Sequence, residues 1–308
     1  MPDQARDFVG YADRPPDITW PNGARIAINF VLNYEEGAEY TIADGDGRSE
    51  AALTEVNQPR VPTGMRDLAS ETMYEYGSRV GFWRLYHLFR DRNLPLTVFA
   101  AALAIERNPE AARAIAETNW DITAHGFRWV EHYHMDEATE RAEIALAFTS
   151  LSSRLGRAPQ GWYCRYGPSP NTRRLVVEHG GYAFDCDSYA DELPFWVPVA
   201  GRSHLVVPYS LVTNDAKFHA GGLVTGRDYA TFLEDSLTVL RAEASRGPRM
   251  MSVGLHPRIV GHPGRCAGLI SFLDHVSALN DVWVCRRADL AAHWRDVVPP
   301  PPHGPVGD

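Results

Sequence analysis

The sequence predicts an α/β fold in which parallel strands form a distorted barrel. Short apolar, β-branched segments alternate with longer amphipathic ones along most of the 308 residues, which is the pattern typical of a parallel barrel. Several of the predicted strands end in polar or charged side chains, as expected where catalytic groups follow the carboxyl ends of barrel strands. No Ser/Gly-rich linker or charge block divides the chain, so we expect one catalytic domain over residues 1–308 with extended, proline-rich tails.

Eight segments have the length and residue types of strands. The first, at 25–32, leads into Asn33-Tyr34-Glu35-Glu36-Gly37, and the third, at 120–124, ends directly before His125. The remaining predicted strands are 95–100, 160–163, 182–185, 204–208, 249–255 and 281–285. Acidic and imidazole groups therefore follow two of the strands at their carboxyl ends.

Helices are predicted between these strands. Residues 78–91 place apolar side chains at helical spacing. Asn108 is a helix N-cap with Pro109 at the first helical position, and a further helix opens at Asp136 and ends at Gly156. The other predicted helices are 171–179, 227–245, 264–279 and 287–296.

Two long segments, 36–66 and 189–222, fit no strand–helix unit. Long loops in a compact domain are usually functional or contact partners. The first contains Asp44-Gly45-Asp46-Gly47, which lacks the other spaced oxygen ligands of a calcium loop, so we predict a turn there.

The composition excludes several classes of partner. A net charge of −9 with no basic run argues against a nucleic acid or an anionic membrane surface. The N-terminus is polar, and no run approaches the roughly 20 apolar residues needed to span a bilayer, so we expect a cytoplasmic protein. The cysteines are not spaced as in zinc-binding motifs, so we interpret them as buried thiols in a reduced compartment. They are Cys164, Cys186, Cys266 and Cys285.

The strand-end motifs resemble those of the polysaccharide deacetylase (NodB-homology) superfamily. Its first motif is usually Thr-Phe-Asp-Asp-Gly, in which the first Asp is a base and the second binds a divalent metal; its second, His-Ser-x-x-His, supplies two metal-binding histidines. Here Glu35-Glu36 replaces the Asp pair, and Trp129 stands four residues after His125 in place of the second histidine. A Trp ring N–H is a donor only and cannot bind the metal. The resemblance implies a distorted parallel (β/α)7 barrel and a hydrolase of C–N bonds.

The altered motifs are most similar to the metal-independent PuuE-type allantoinase branch. That branch implies ring opening of a small cyclic ureide or imide, no cofactor, and a homo-oligomer, a tetramer, in which the N-terminal segment and 36–66 are the interface candidates. The resemblance runs nearly end to end, through Asp7 to Tyr11, Asn33 to Gly37, Tyr74 to Arg79, Pro95 to Ala100, His125-Gly126, Asn171 to Leu175, Gly254 to His256, and His293-Trp294.

The resemblance also suggests roles for individual residues. Glu35 matches the base and Glu36 the metal-binding Asp, although neighbours on a strand face opposite sides unless the strand has ended, which Gly37 permits. Two close carboxylates repel and raise one pKa, which suits acid or base work, so which of the two is the base stays open. His125 matches the first metal-binding His.

Two further motifs follow later strands. Arg165 matches an Arg that orients the base, and His256 matches the acid that protonates the leaving group; an unperturbed histidine pKa of about 6.5 suits this task. The predicted catalytic residues are therefore Glu35, Glu36, His125, Arg165 and His256. The residues expected to bind substrate are Trp129, Tyr163, Asp187 and Arg258.

Two alternatives remain open at this point. His132 could supply a replacement imidazole, giving a rearranged zinc site of Glu36, His125 and His132, since zinc accepts nitrogen and carboxylate ligands. The loop around Arg165 also departs from the PuuE pattern, so other substrates stay open as alternatives. An N-deacetylase or other linear amidase, or a catalytically inactive binding homologue, would fit the same frame.

Overall fold

A computed structural model describes residues 6–301 except 57, 59 and 221, so the predicted tails lie partly outside the described residues. None of the helices in these ranges is long and apolar enough to cross a membrane. The strands are β1 (Ile26–Tyr34), β2 (Thr97–Ala100), β3 (Asp121–Ala124), β4 (Gly161–Trp162), β5 (Phe184–Asp185), β6 (Phe195–Val199), β7 (Arg202–Val206), β8 (Arg249–Leu255) and β9 (Val282–Val284).

The strands form one sheet in the order β6-β7-β5-β4-β3-β2-β1-β8, and β9 also pairs with β1. Every pairing is parallel except the one between β6 and β7. Strand β8 pairs with residues 26–32 along one edge of β1. The opposite edge of β1 is shared by two strands: β9 pairs with residues 26–28 and β2 with residues 31–34. The long first strand therefore pairs with three other strands: β2, β8 and β9.

The segment after β7 continues the curled sheet towards β8. The Val207 amide donates to Asp185 of β5, and further along Asn214 forms a parallel bridge with Gly254 of β8. The result is the distorted parallel α/β barrel that the sequence predicted. All eight predicted strands are present, but β6 was missed. It carries Pro198 and lies at the edge of the sheet, where a proline is tolerated but weakens the strand signal.

The helices within the described residues surround this sheet. The predicted caps at Asn108 and Asp136 are confirmed, since their side chains accept hydrogen bonds from Ala111 and Thr139, respectively. The helices are α1 (Leu68–Tyr76), α2 (Phe82–Asp91), α3 (Ala102–Arg107), α4 (Pro109–Ala116), α5 (Glu137–Leu155), α6 (Thr172–His179), α7 (Lys217–Ala220), α8 (Gly226–Glu243), α9 (Pro263–Ser277) and α10 (Arg287–Val297).

The start of the helix predicted at 78–91 is wrong, because α2 begins only at Phe82. Helix α1 leads into a π-helical turn over Gly77–Gly81, and only then does α2 begin. A Cβ atom added to Gly81 would collide with the carbonyl oxygen of Pro257. The glycine therefore lets the π turn press directly against the loop that follows β8. π turns of this kind occur frequently at functional sites.

Strand β1 separates two environments by its alternating side chains. Its even-numbered residues, such as Phe30 and Leu32, pack in the large apolar core with the helices. Its odd-numbered residues face a second cluster inside the barrel, where Asn29 accepts a hydrogen bond from the buried guanidinium of Arg287 and Asn33 donates one to Tyr209. Polar groups thus line the barrel interior on the face that ends at residue 35.

The four cysteines are free and buried, as predicted. Cys186 contacts the guanidinium of Arg287 inside the barrel, and Cys285 lies beside Ile28. The run from Asp44 to Gly47 is a turn, again as predicted: Asp44 ends a short 3-10 helix and pairs with Arg107.

Candidate active site

Glu35 and Glu36 lie directly beyond the carboxyl end of β1, where the chain turns. The turn is closed by a hydrogen bond from the Ala38 amide to the Glu35 carbonyl, and Gly37 adopts φ +96°, which a residue with a side chain rarely tolerates. Glu35 continues the interior face of β1. Its carboxylate is enclosed, since the residue is only 1% exposed.

Three cationic or titratable side chains converge on the Glu35 carboxylate. Oε1 lies 3.1 Å from His125 Nε2 and 3.6 Å from His256 Nε2, while Oε2 accepts a 2.6 Å hydrogen bond from Arg258 Nη2. These groups follow β3 and β8, whose carboxyl ends lie near that of β1 in the sheet. The sequence prediction that Glu35, His125 and His256 meet at one end of the barrel is therefore correct in geometry.

These neighbours keep Glu35 ionised in spite of its burial. Burial by itself raises the pKa of the Glu35 carboxyl, but Arg258, His256 and the hydrogen bond from His125 together hold that pKa well below its usual value. The carboxylate therefore stays ionised at neutral pH and is available to accept a proton. It can also hold a protonated imidazole close by through their opposite charges.

Glu36 faces the other way, towards α1 and the π turn. Its Oε1 accepts a 3.2 Å hydrogen bond from Arg258 Nη1, and its Oε2 accepts one from the Glu35 amide. A Cβ on Gly77 would come within 2.6 Å of Glu36 Oε1, so this glycine makes room for the carboxyl group. Burial raises the pKa of Glu36; Arg258 partly offsets this, and the neighbouring Glu35 charge adds to it. The two glutamates therefore have opposite pKa shifts.

His256 is oriented by Asp215, a residue that the sequence reasoning missed. Asp215 is fully buried; its Oδ1 lies 2.6 Å from His256 Nδ1, and its Oδ2 accepts from the backbone amides of His256 and Val260. Burial lowers the pKa of His256, but Asp215 and Glu35 outweigh that effect and raise it to about 9. The imidazole is therefore protonated at neutral pH, with Nε2 directed at Glu35.

His125 is fixed between a carboxylate and a backbone carbonyl. Its Nδ1 lies 2.9 Å from the Tyr163 carbonyl oxygen, which leaves Nε2 directed at Glu35. The Tyr163 ring packs against that of His125 with centroids 4.9 Å apart, and its hydroxyl lies 2.8 Å from the hydroxyl of Tyr189. Tyr163 therefore borders the centre, and its role in binding substrate stays a prediction.

Arg165 does not contact Glu35, contrary to the expectation that it orients the base. Its Nη1 donates to Glu50 at 2.6 Å and to the Trp129 carbonyl, and its guanidinium lies 3.7 Å from the centre of the Trp129 ring. Arg165 is therefore held against the 36–66 segment through Glu50. The guanidinium partner of Glu35 is Arg258, which was expected only to bind substrate.

Trp129 lies between the two arginines and Tyr74. Its ring centre is 5.1 Å from the Arg258 guanidinium carbon and 6.3 Å from the centre of the Tyr74 ring. The ring is 1% exposed, so it forms an apolar wall of the enclosed centre. That Trp129 occupies the space of a metal ligand stays a prediction.

Asp187 is not brought to the centre, contrary to its predicted role in binding substrate. Its Oδ1 accepts from the Cys164 amide, and it lies beside Asp185, which is held by Arg173 and His204. Burial, and then the charge of Asp185, raise the pKa of Asp187 well above its usual value. The Asp185–Asp187 pair thus stabilises the loops after β4 and β5.

The rearranged zinc site proposed from Glu36, His125 and His132 is not formed. His132 Nδ1 lies 3.2 Å from Glu140 Oε1, and its ring packs against that of Trp162. Glu35 and Glu36 are both engaged by Arg258. Across the described ranges, no group of three His, Cys, Asp or Glu side chains is arranged to hold a metal ion. The donors at this centre therefore do not fit the family's divalent metal.

Comparison with known proteins places these features in context. Residues 69–184 match the family model described as "Polysaccharide deacetylase". A Schizosaccharomyces pombe protein assigned to the polysaccharide deacetylases is 36% identical, with 94% of this chain and 97% of that protein covered.

Two crystal structures are similar over almost the whole chain. A Pseudomonas aeruginosa PAO1 protein assigned to the polysaccharide deacetylases has a TM-score of 0.91 at 46% identity, with 96% of this chain and 99% of that chain covered. The structure of Puue allantoinase has a TM-score of 0.92 at 45% identity, with the same coverage.

Proposed function

The chain belongs to the polysaccharide deacetylase family, whose members are hydrolases of C–N bonds, and from that premise we propose that it opens the ring of a small cyclic ureide or imide by hydrolysis. The observation that carries the proposal is the enclosed centre in which Arg258 bridges Glu35 and Glu36 beside Trp129. The similarity to Puue allantoinase over nearly the full length supports a ureide as the substrate class.

The geometry suits an amide hydrolysis that needs no metal. Glu35, ionised, takes a proton from water, and that water attacks the ring carbonyl. Arg258 supplies two N–H donors and a positive charge near the oxygen that becomes negative in the tetrahedral intermediate. His256, protonated and held by Asp215, gives its proton to the departing nitrogen. Ring opening then yields one product molecule that carries a carboxylate and a urea group, from a ureide, or an amide, from an imide.

Enclosure favours a small substrate. Glu35, His125 and His256 expose no more than a few per cent of their surface, which suits a molecule that can be surrounded completely. Excluding water strengthens each electrostatic contact to the intermediate. A cyclic ureide is also more readily hydrolysed than an acetamide, so it demands less charge stabilisation than a sugar deacetylase must provide.

One observation favours the second candidate, an N-deacetylase acting on an acetylated sugar polymer. Tyr133, Tyr166 and Tyr189 follow β3, β4 and β5 and are each about half exposed at the barrel mouth. Exposed aromatic rings could stack on sugar rings outside the enclosed centre. A rate assay on allantoin, dihydrouracil, succinimide, hydantoin and N-acetylglucosamine oligomers, with and without added divalent metal, separates the two: the proposal requires the highest kcat/KM on a cyclic substrate.

A homo-oligomer, and a tetramer in particular, stays a prediction. Its support in the structure is the N-terminal segment, where Phe8 and Val9 are large apolar side chains with most of their surface exposed. Such residues often become buried against another subunit.

Asp215→Asn should lower the pH at which kcat falls on the alkaline side of the pH–activity curve (its alkaline limb). In the wild type, a His256 pKa of about 9 keeps the acid protonated at neutral pH, and activity falls as the pH rises through that value. Asparagine removes the main cause that raises this pKa, so the limb should move towards the free histidine value of about 6.5. The measurement is kcat against pH for both proteins; an unchanged limb would show that His256 is not the acid.

A further inference from the structure

Residues 48–56, called here the cover segment, lie over the active centre. The segment contains a tight turn in which Ser49, Ala51 and Thr54 are buried. It belongs to the long 36–66 stretch that fits no strand–helix unit. Within it, Glu50 and the Leu53 carbonyl contact the two arginines that lie against Trp129. Ala52 and Glu55 make further contacts, with Tyr74 and Arg265 respectively.

Glu50 links the cover segment to the barrel through both carboxylate oxygens. Oε1 accepts from the amides of Ala51 and Ala52 at 3.0 and 2.9 Å and so fixes the turn of the segment. Oε2 accepts a 2.6 Å hydrogen bond from Arg165, and the two side chains are 9% and 3% exposed. One carboxylate therefore holds the shape of the segment and also its attachment to the loop after β4.

Leu53 provides the second attachment. Its carbonyl oxygen accepts a 3.1 Å hydrogen bond from Arg258 Nε, next to the residue whose carbonyl accepts from the Tyr74 hydroxyl. Leu53 has φ +56°, a left-handed conformation that is uncommon for leucine and is kept only where the surroundings impose it. The closed form of the segment is thus held by polar contacts against a strained backbone.

Both attachments end on the arginines that lie against Trp129. Arg165 and Arg258 approach the Trp129 ring at 3.7 and 5.1 Å, and Arg258 also holds Glu35. With the segment in this position the catalytic side chains are buried, so a substrate in solvent cannot contact them. Opening the segment would break the Arg165–Glu50 and Arg258–Leu53 hydrogen bonds and leave one N–H donor free on each arginine, beside Trp129. Closing the segment would form both hydrogen bonds again.

We infer that Glu50 is a positioning residue: the cover segment opens to admit substrate, and the Glu50–Arg165 ion pair closes it again so that Trp129 and Arg258 take up their working positions. This inference deepens the proposed function and rests on it for the identity of the substrate.

The outer end of the same segment supplies a matched control. Glu55 pairs with Arg265 at 2.7 and 3.1 Å, but the Glu55 side chain is half exposed and touches none of the centre. Exposed ion pairs contribute little. Glu50 and Glu55 are therefore the same residue type, in one segment, each paired to an arginine, with only Glu50 attached to the centre.

The first test compares Glu50→Gln with Glu55→Gln. Glutamine keeps the Oε1 acceptor that fixes the turn but removes the charge that holds Arg165. We expect kcat of Glu50→Gln to fall by about tenfold or more with KM changed by less than about threefold, because misplacing the supporting groups slows the chemistry. Glu55→Gln should stay within about twofold in both. Equal kinetics for the two variants would overturn the inference.

The second test needs no substrate. Hydrogen exchange at the amides of residues 50–56 should be faster in Glu50→Gln than in the wild type and unchanged in the buried strand β1. If the substrate panel shows no turnover at all, the proposed function fails, but this measurement still decides the inference: equal exchange in the wild type and Glu50→Gln removes it.

The third test locks the cover segment shut. A Glu55→Cys/Arg265→Cys variant can be bridged by a short bis-maleimide, and because the four native cysteines are buried, the reagent should attack only the new pair. The bridged enzyme should lose about tenfold or more of its activity, while each single cysteine variant treated with a monofunctional maleimide should keep it. Full activity of the bridged enzyme would show that the segment does not have to open.

Discussion

Glu35→Gln should abolish turnover while leaving substrate binding largely intact. Glutamine has nearly the size of glutamate and keeps one oxygen as an acceptor for His125 and His256, but it cannot take a proton from water. Loss of a general base typically lowers the rate by about 10²–10⁴-fold. Because Arg258 and the two histidines would remain in place, we expect the substrate dissociation constant to change by less than about tenfold.

The measurement is kcat together with calorimetric binding of the substrate to the inactive variant. Glu55→Gln is the control for a glutamate-to-glutamine change that lies outside the centre. Turnover by Glu35→Gln at more than about a tenth of the wild-type rate would exclude Glu35 as the base. In that case Glu36, whose pKa is shifted in the opposite direction, is the next residue to test.

Arg258→Met should destabilise the protein and also inactivate it. Methionine fills part of the same volume but leaves Glu35 and Glu36 buried side by side with no guanidinium between them. Removing one member of a buried ion pair typically costs about 3–5 kcal/mol in the free energy of unfolding. Arg258 is also the main group that lowers the pKa of Glu35, so in the variant the base should be protonated nearer to neutral pH.

The destabilisation caused by Arg258→Met should depend on pH. Glu35 has a folded-state pKa below the unfolded value of 4.5, so its contribution to stability is present above that value and is lost as the pH falls through the folded-state pKa. The difference in unfolding free energy between the wild type and Arg258→Met should therefore shrink on acidification. Urea unfolding at several pH values measures it. Arg265→Met is the control, since its partner Glu55 is about half exposed. A difference that stays constant with pH would contradict the account.

The sequence predicted the barrel well because its signals are local. Short apolar strands, the Asn108 and Asp136 caps and the glycine turns act within a few residues, and the structure reproduces them. The π turn at Gly77–Gly81 was not predictable, since it is imposed by close contact with the backbone of Pro257, far along the chain. The same is true of β6, whose proline obscured the strand pattern.

The centre was only partly predictable for a similar reason. Glu35, His125 and His256 follow strand ends, so the fold alone brings them together. Which arginine meets Glu35 depends on loop conformation: Arg165 follows the motif in sequence but is drawn to Glu50, and Arg258 takes its place. Asp215 carries no pattern of its own, and only its pairing with His256 across 41 residues reveals it.

The mass of the product tests the central claim most directly. The purified enzyme is incubated with allantoin and, separately, with an N-acetylglucosamine oligomer in buffer containing a metal chelator, and the products are analysed by mass spectrometry. The account predicts that the cyclic ureide gains the mass of one water, that no fragment leaves it, and that Glu35→Gln forms this product at least about 100-fold more slowly. Loss of an acetyl group from the sugar oligomer, with the ureide unchanged, would contradict it.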